Sequence, residues 1–377
     1  MSRLFLAPME GLADAVMRDL LTRGGGFDGC VSEFIRITSS VLPPRVYERE
    51  APEVLHGART LSGTPMVVQL LGSDPTWMAR NAEQAAKLSP WGVDLNFGCP
   101  AKIVNQHGGG AMLLTDPEKL YRIVSAVRAA VPIGIAVTAK MRLGVSDTSR
   151  AIDCAVALAE GGAGSIVVHA RTRDDGYKAP AHWEWIARID AELDALSTDE
   201  NAEKNAEKTA AAKMIGTQPA GDPNSAPSIH RNKKTTVIAN GEVWTVADWE
   251  RCRAVSGCAD VMLGRGAIAD PFLARRIRGE MTRTAGAAEW PLVLHLMLDY
   301  MSVLQTRALS QAEPAHEHGR LKKWLSYLQR TWPEAAALHS AIRRMQNAAE
   351  VIDVVQQALY LQNNGVLSET GTPTLSH

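Results

Sequence analysis

The sequence has no excess of either charge. Its 377 residues carry 40 basic and 41 acidic side chains, for a net charge of −1 and a pI of about 6.8. Proteins that bind nucleic acids often carry a basic excess, so this balance, taken alone, favours a small-molecule enzyme. Hydrophobic residues make up 46% of the chain and charged residues 21%. This composition supplies a large core and excludes an intrinsically disordered protein.

The sequence also lacks paired cysteines and long apolar runs. Its five cysteines are odd in number and include no C-x-x-C pair, which argues against a disulfide framework and a zinc site and fits a reducing cytoplasm. The opening MSRLFLAPMEG has one arginine and a very short apolar run, unlike a signal peptide. No apolar stretch approaches 18 residues, so no membrane span is expected. We therefore expect a cytoplasmic protein with no membrane or metal partner, and a monomer.

Eight short apolar runs alternate with helix-like segments over about 270 residues, which predicts a (β/α)₈ TIM barrel over residues 1–275. An open doubly wound sheet is the alternative, but no early G-x-G-x-x-G supports it. The expected strands are Leu4–Ala7, Gly29–Phe34, Met66–Leu71, Val93–Asn96, Ile133–Met141, Ser165–His169, Thr236–Asn240 and Asp260–Leu263. The expected helices include Pro75–Leu88, Pro117–Ala130, Ser149–Glu160, Trp183–Leu196 and Thr245–Val255.

Two later segments depart from the alternation. Residues 198–229 are polar, Ala-rich and repetitive, with NAEKNAEK and no apolar stripe, which predicts a largely disordered insertion before the seventh strand. From about Trp290 to Leu361 the periodicity is helical throughout. It predicts an all-α bundle of about four helices over residues 288–362, followed by a flexible tail over 363–377.

Polar residues concentrate where the barrel strands should end, which is where α/β barrels build their active sites. Gly241 and Gly264 open turns after strands seven and eight, and Arg265 adds charge, which suits a mononucleotide phosphate such as that of FMN. Ordinary tight turns are the alternative for either glycine alone. Lys140 lies inside an apolar strand and must face a polar ligand or a carboxylate. It suits the N1–O2 edge of a flavin, with a structural ion pair inside the barrel as the alternative.

Two further side chains suit chemistry at this end of the barrel. Gln69 can donate to and accept from the pyrimidine edge of a flavin. Cys99 lies between Gly98 and Pro100 on a rigid loop, where it is either a nucleophile or a thiol acid that delivers a proton. The other four cysteines read as core or inert residues.

Together these motifs give a specific resemblance. The chain resembles the tRNA-dihydrouridine synthases in APMEG, SEFIR, QLLG, GVDLNFGCP, the GGG loop, K-x-R-L-G, VVHART, VIANGE and GRGA, in the family's order over residues 1–270. The opening APMEGLAD, SEFIR and the later RLKKWLSYL are similar to the C-type branch, which acts on position 16 of the tRNA D-loop. RLKKWLSYL extends the match to about residue 345.

The resemblance implies an FMN-bound barrel followed by a helical tRNA-binding domain. It implies that NADPH (or NADH) reduces FMN, that hydride passes from flavin N5 to C6 of uracil, and that Cys99 is the catalytic acid that protonates C5. The flavin contacts it implies are Pro8, Met9, Glu10, Gln69, Lys140, His169, Asn240, Gly241, Glu242, Gly264 and Arg265. The tRNA contacts it implies are Arg36, Asn96, Arg142, Arg320, Lys322, Tyr327 and Arg343.

Two other functions fit parts of the pattern. A small-molecule flavin oxidoreductase of the dihydroorotate dehydrogenase type would share the phosphate site and the lysine, but would not need a basic helical domain. A non-catalytic tRNA-binding module would not need Cys99 and Lys140. Residues 190–215 hold seven acidic and three basic side chains, whereas residues 271–350 hold eleven basic and seven acidic. The neutral total therefore conceals a locally basic helical domain, and local charge is what an RNA backbone senses.

Overall fold

The computed structural model describes residues 2–105, 108–197, 235–311 and 317–363. Its strands are parallel and form a closed barrel in chain order, with β1 paired to β8. This confirms the predicted TIM barrel. The expected insertion at 198–229 lies outside the described residues, as does the tail from 364 onward. The strands are β1 Leu4–Leu6, β2 Gly29–Arg36, β3 Met66–Leu71, β4 Val93–Phe97, β5 Val137–Arg142, β6 Ser165–His169, β7 Thr236–Asn240 and β8 Val261–Leu263.

The fifth strand begins four residues later than its sequence predicts. The expected strand Ile133–Met141 includes an apolar stretch that the structure places in a turn, where Ile135 N–H donates to the Pro132 carbonyl at 2.9 Å. Ile133 is 86% exposed, so its side chain adds nothing to the barrel. An apolar run marks a strand only where the backbone is free to pair, and here the turn that follows the proline takes precedence.

Helices separate the strands, and several begin where the sequence places a cap. Asp74 and Asp116 each accept a backbone N–H of the first turn, and a proline follows each of them. The barrel-domain helices are α1 Ala15–Arg23, α2 Pro44–Glu50, α3 Pro75–Leu88, α4 Lys102–Asn105, α5 Pro117–Ala130, α6 Ala151–Glu160, α7 over 183–197, α8 Val246–Ser256, α9 Arg265–Ala269 and α10 Leu273–Arg278. Short 3₁₀ helices cover Pro52–His56, Gly110–Thr115 and Ala287–Glu289.

Four further helices follow the barrel, as the periodicity predicts. They are α11 Trp290–Gln311, α12 Glu317–Leu328, α13 Pro333–Ile342 and α14 Ala348–Asn363. Trp290, Trp324 and Trp332 are at most 2% exposed and belong to the same apolar cluster as the layer between the barrel strands and helices. The exact division into residues 1–275 and 288–362 stays a prediction. None of the helices in the described ranges is long and apolar enough to cross a membrane.

Helix α12 packs directly on the barrel beside the loop that follows β1. The indole N–H of Trp324 donates to the Ile268 carbonyl at 3.0 Å. Arg320 pairs with Asp14, the N-cap of α1, and the ammonium of Lys323 donates to the Gly11 carbonyl at 2.6 Å. These contacts place the basic face of α12 next to the C-terminal end of the barrel, where β1 ends.

Candidate active site

One cavity lies at the C-terminal end of the barrel, and all eight strands or the loops after them contribute to its wall. The structure brings together every predicted flavin contact, the predicted catalytic cysteine and two predicted tRNA contacts. These residues come from positions as distant in the chain as Pro8 and Arg265. The predicted residues that line it are Pro8, Met9, Glu10, Gln69, Asn96, Cys99, Lys140, Arg142, His169, Asn240, Gly241, Glu242, Gly264 and Arg265.

Lys140 is a cation that faces this cavity. It pairs in register with Asn96 on β4 and Val167 on β6, so it lies in the middle of the barrel wall. Within the described part of the chain its ammonium has no hydrogen bond or ion pair, which removes the support for the structural ion-pair alternative. Burial, and after it the charge of Arg142, lower the pKa of Lys140 to about 8, against the opposing charge of Asp94. The ammonium is therefore still mostly protonated at neutral pH and free to meet a ligand.

Cys99 is held on its loop by the backbone around it. Its carbonyl accepts the Ala111 N–H at 3.1 Å and the Asn105 side-chain amide at 3.0 Å. Gly110 has φ +57°, and a Cβ there would lie 2.7 Å from the Cys99 carbonyl oxygen, so only glycine fits this position. The glycine loop that the sequence shows is thus a support for Cys99. Burial raises the pKa of the Cys99 thiol, against the lowering effect of nearby backbone and Arg142, so the protonated form dominates at neutral pH.

The turns after β7 and β8 each contain a glycine, and a charged side chain lies beside the second of them. Gly241 has φ +117°, and a Cβ there would come within 2.9 Å of the His169 ring. Gly264 has open space on its cavity side, with its nearest neighbours at 3.8–3.9 Å. Burial lowers the pKa of Arg265, whose guanidinium lies over the rings of Tyr177 at 4.3 Å and Trp244 at 5.0 Å. The arrangement offers the guanidinium of Arg265 and the open space at Gly264 to an anionic group.

His169 is a neutral imidazole in the wall of the cavity. Burial lowers its pKa well below the usual value, and the charges of Arg142, Lys140, Arg171 and Arg265 lower it further. The four cations around one buried ring show that this end of the barrel carries concentrated positive potential. Such a site attracts an anionic ligand.

Glu242 provides part of the counter-charge. It forms an ion pair with the fully buried Arg171, and its other oxygen accepts the Trp244 indole N–H at 3.0 Å. Glu242 is one of two described residues other than glycine with positive φ, at +57°. The pair fixes the β7 loop at the rim of the cavity, and a strained backbone there is common at functional sites.

Sequence reasoning missed the aromatic side chains of this rim. Arg142 lies over the Tyr177 ring at 5.3 Å, Arg265 lies over both Tyr177 and Trp244, and Arg330 from the end of α12 lies over Trp244 at 3.8 Å. Guanidinium groups and aromatic rings thus alternate from the barrel wall to the helical bundle. The available signal was an aromatic residue in each of the loops after strands six and seven.

Glu33 is a second residue that the sequence analysis did not single out. It lies in β2, lines the cavity, and accepts the Gly11 N–H at 2.5 Å. Burial raises its pKa to about 7, with Arg18 opposing the rise. An acidic side chain inside the apolar run of SEFIR was the signal that could have identified it.

The remaining predicted tRNA contacts lie outside the cavity. Arg36 is exposed at the end of β2, close enough to Cys99 for its charge to lower the thiol pKa. In the helical bundle, Arg320 is ion-paired to the barrel, and the Lys322 ammonium donates to a main-chain carbonyl just after α13. Tyr327 is half-buried and Arg343 is exposed. Arg320, Lys322 and Tyr327 lie on α12, which packs beside the mouth, and Arg343 directly follows α13.

Comparisons with known proteins agree with this architecture. The family model described as dihydrouridine synthase matches residues 5–226 and 216–363. A tRNA-dihydrouridine(16) synthase of Cupriavidus necator is 63% identical over 356 residues, which cover 94% of this chain and 97% of the relative. Relatives of the same name from Pseudomonas putida and Shewanella oneidensis are 44% and 40% identical and cover 93% and 96% of this chain and 95% and 99% of their own lengths. The chain therefore belongs to the dihydrouridine synthase family.

Proposed function

We propose that this protein reduces the C5–C6 double bond of uridine 16 in the D-loop of tRNA, yielding 5,6-dihydrouridine, with FMN as the bound cofactor and NADPH or NADH as the reductant. One observation carries the proposal. The cavity brings together the Lys140 ammonium, which has no hydrogen bond or ion pair among the described residues, and the protonated thiol of Cys99, in a chain 63% identical over 94% of its length to a relative named for this reaction.

The residues of the cavity fit FMN. Lys140 has a charge without a partner in the described protein, which an anionic flavin edge would satisfy, and Gln69 lies on the neighbouring part of the wall. Arg265 with the open space at Gly264 fits a phosphate, and we propose Gly241 in the neighbouring turn as a further contact. The remaining cofactor contacts that we propose are Pro8, Met9, Glu10, His169, Asn240 and Glu242. Bound FMN supplies the hydride that adds to C6.

Cys99 has the properties of the general acid in this reaction. Reduction of the double bond needs a proton at C5 as well as a hydride at C6, and C5 acquires enolate character as the hydride adds. A thiol whose pKa is raised by burial keeps its proton until that carbon can accept it. The backbone of Gly110 packs against the Cys99 carbonyl and leaves no room for another side chain, which holds the backbone that carries the thiol in place.

The tRNA must bring one base out of its stack into the cavity, which is a few kcal/mol less costly to do in a loop than in a duplex. We propose Asn96 and Arg142 at the cavity and Arg36 at its rim as the barrel contacts. In the bundle we propose Arg320, Lys322, Tyr327 and Arg343. Residues 271–350 carry eleven basic and seven acidic side chains, which supplies the local charge for an RNA backbone.

The test of this function is a position map of dihydrouridine in tRNA. In cells that lack this protein, dihydrouridine should disappear at position 16 and persist elsewhere, and a plasmid copy of the parent gene should restore it. Unchanged dihydrouridine at position 16 would refute the function, and loss at a different position would refute the assigned substrate site. Purified protein with FMN, NADPH and unmodified tRNA should form dihydrouridine in the same place.

Lys322 gives a prediction for the tRNA surface. Lys322→Ala should weaken tRNA binding and reduce the slope of log Kd against log salt concentration by about 0.7–0.9, the contribution of one phosphate contact. Lys87→Ala is the control, because Lys87 is an exposed lysine on α3 paired to Glu83 at 3.1 Å. Filter binding over a range of salt concentrations measures both variants. An unchanged slope for Lys322→Ala would mean that this lysine touches no phosphate and serves only its main-chain carbonyl.

A further inference from the structure

A continuous chain of buried hydrogen bonds runs through the barrel wall to the backbone of Cys99. The Asp94 carboxylate accepts the Gln69 amide Nε2 at 2.7 Å, and Gln69 Oε1 accepts the Asn96 amide Nδ2 at 2.8 Å. Asn96 Oδ1 then accepts the N–H groups of Gly98 and Cys99, both at 2.9 Å. The three residues are at most 9% exposed, so these hydrogen bonds are largely shielded from solvent.

The strand register builds this chain. Gln69 on β3 is paired with Asp94 on β4, and Asp94 is paired with Thr138 on β5, whose hydroxyl donates to the second carboxylate oxygen at 2.5 Å. Asn96 lies two residues after Asp94, on the same face of β4 and one layer closer to the mouth. The chain therefore begins in the interior of the barrel and ends at the loop of the reacting thiol.

Chemistry at the two ends fixes the direction of both amides. An ionised carboxylate only accepts hydrogen bonds, and a backbone N–H only donates them. Asn96 must present its oxygen to Gly98 and Cys99, so its nitrogen meets Gln69. Gln69 must then present its own oxygen to Asn96 and its nitrogen to Asp94. A donor in place of the carboxylate would permit Gln69 to reverse, and the reversal would turn Asn96 nitrogen toward two N–H groups.

We propose that Asp94 is a positioning residue of the reaction, which orients Gln69 and, through Gln69 and Asn96, holds the backbone of Cys99 where its thiol can protonate the base. The inference rests on the proposed function. Burial raises the pKa of Asp94, while the donors Gln69 and Thr138 and the charge of Lys140 oppose that rise. Asp94 itself touches neither the cavity nor the reacting atoms, since it is absent from the cavity wall.

Asp94→Asn tests the proposal in the FMN-loaded enzyme, because the amide has the shape of the carboxylate but no longer dictates which way Gln69 points. We expect kcat for dihydrouridine formation to fall by about 10-fold or more while KM for tRNA stays within about 2-fold, since a misplaced reacting group costs up to about 100-fold. The rate at which iodoacetamide alkylates Cys99 should change by a similar factor, because the same displacement moves the thiol. The reagent reports on Cys99 because it is the one cysteine of the five that lines the cavity.

Asp260→Asn is the matched control. Asp260 is 6% exposed, lies at the opposite end of the barrel just before β8, and pairs with Arg3 at 2.5 Å. The proposal would be overturned if Asp94→Asn had the same kcat and the same Cys99 alkylation rate as Asp260→Asn. Parent enzyme that forms no dihydrouridine would instead refute the proposed function, whatever the alkylation rates show.

Thr138→Val keeps the test falsifiable if Asp94→Asn does not fold. It removes one donor to the carboxylate and nearly preserves the volume of the side chain. We expect kcat to fall by about 3- to 5-fold with the same unchanged KM, the effect of one net hydrogen bond. A parental kcat and a parental alkylation rate in Thr138→Val, with Asp94→Asn unfolded, would overturn the assignment.

Discussion

Cys99→Ala should abolish most dihydrouridine formation while leaving FMN and tRNA bound. General acids contribute about 10²- to 10⁴-fold to rates, and Cys99→Ala removes the acid to which we assign the proton transfer. The alanine side chain keeps the backbone that holds the loop, because the hydrogen bonds from Ala111 and Asn105 go to the carbonyl of residue 99 and not to its sulfur. The loss should therefore appear in kcat rather than in KM for tRNA.

Single-turnover reduction of tRNA by pre-reduced enzyme isolates this step from the reduction of the flavin. Cys252→Ala is the control, because Cys252 is a fully buried cysteine of α8. Burial raises the pKa of its thiol to about 12, so the thiol stays protonated and unreactive at neutral pH. It should cost stability without slowing the single turnover. Parental rates of dihydrouridine formation in Cys99→Ala would show that another group delivers the proton.

The alternation of strands and helices was readable because each buried strand needs a continuous apolar run. Pro75–Leu88 and Pro117–Ala130 match their sequence-based bounds exactly, since a capping aspartate and a first-turn proline mark where each begins. Ile133–Ala136 was wrongly assigned to a strand because apolar composition does not distinguish a strand from an exposed turn. The turn after Pro132 is identified only by its backbone hydrogen bond, from the Ile135 N–H to the Pro132 carbonyl.

The location of the candidate site was also predictable, because in a parallel barrel every strand presents its C-terminal end at the same face. The residues that contact the site residues through hydrogen bonds or stacking could not be predicted. Gln69 lies beside Asp94 because of the register between β3 and β4, which no local pattern encodes. Tyr177 and Trp244 lie in loops whose paths depend on packing, so their stacking on Arg265 could not be foreseen.

In the helical bundle, too, the elements could be predicted from the sequence but their packing could not. Periodicity gave four helices, but it could not show that α12 packs against the barrel through Trp324 and Arg320. Those contacts depend on long-range complementarity between surfaces. They place Arg320 and Lys323 of α12 beside the loop that follows β1, a local grouping of basic side chains that the neutral total charge did not reveal.

Lys140→Met should release FMN without unfolding the protein. Removing one member of a buried charge contact costs about 2–5 kcal/mol of binding free energy, so the Kd for FMN should rise by about 30- to 4,000-fold. A structural ion pair would behave differently, because its loss would destabilise the fold. Within the described residues Lys140 has no such partner, and an unpaired buried ammonium costs free energy. The FMN-free variant should therefore unfold at the temperature of the FMN-free parent or above it.

The pH dependence of FMN binding separates Lys140 from the other cations of the cavity. Burial lowers the pKa of Lys140 to about 8, so the FMN-free protein loses this charge as pH rises through 8. Parent affinity for FMN should be constant below that pH and fall above it, by at most about 10-fold per pH unit. Lys140→Met should abolish this dependence. Arg265→Met should weaken FMN binding but leave its pH dependence unchanged. Lys140 still titrates in this variant, whereas the guanidinium that it lacks stays charged throughout this pH range in the parent. Fluorescence titration of FMN between pH 6.5 and 9.5 measures all three proteins, and a flat parent profile would contradict the assignment of Lys140 to the flavin.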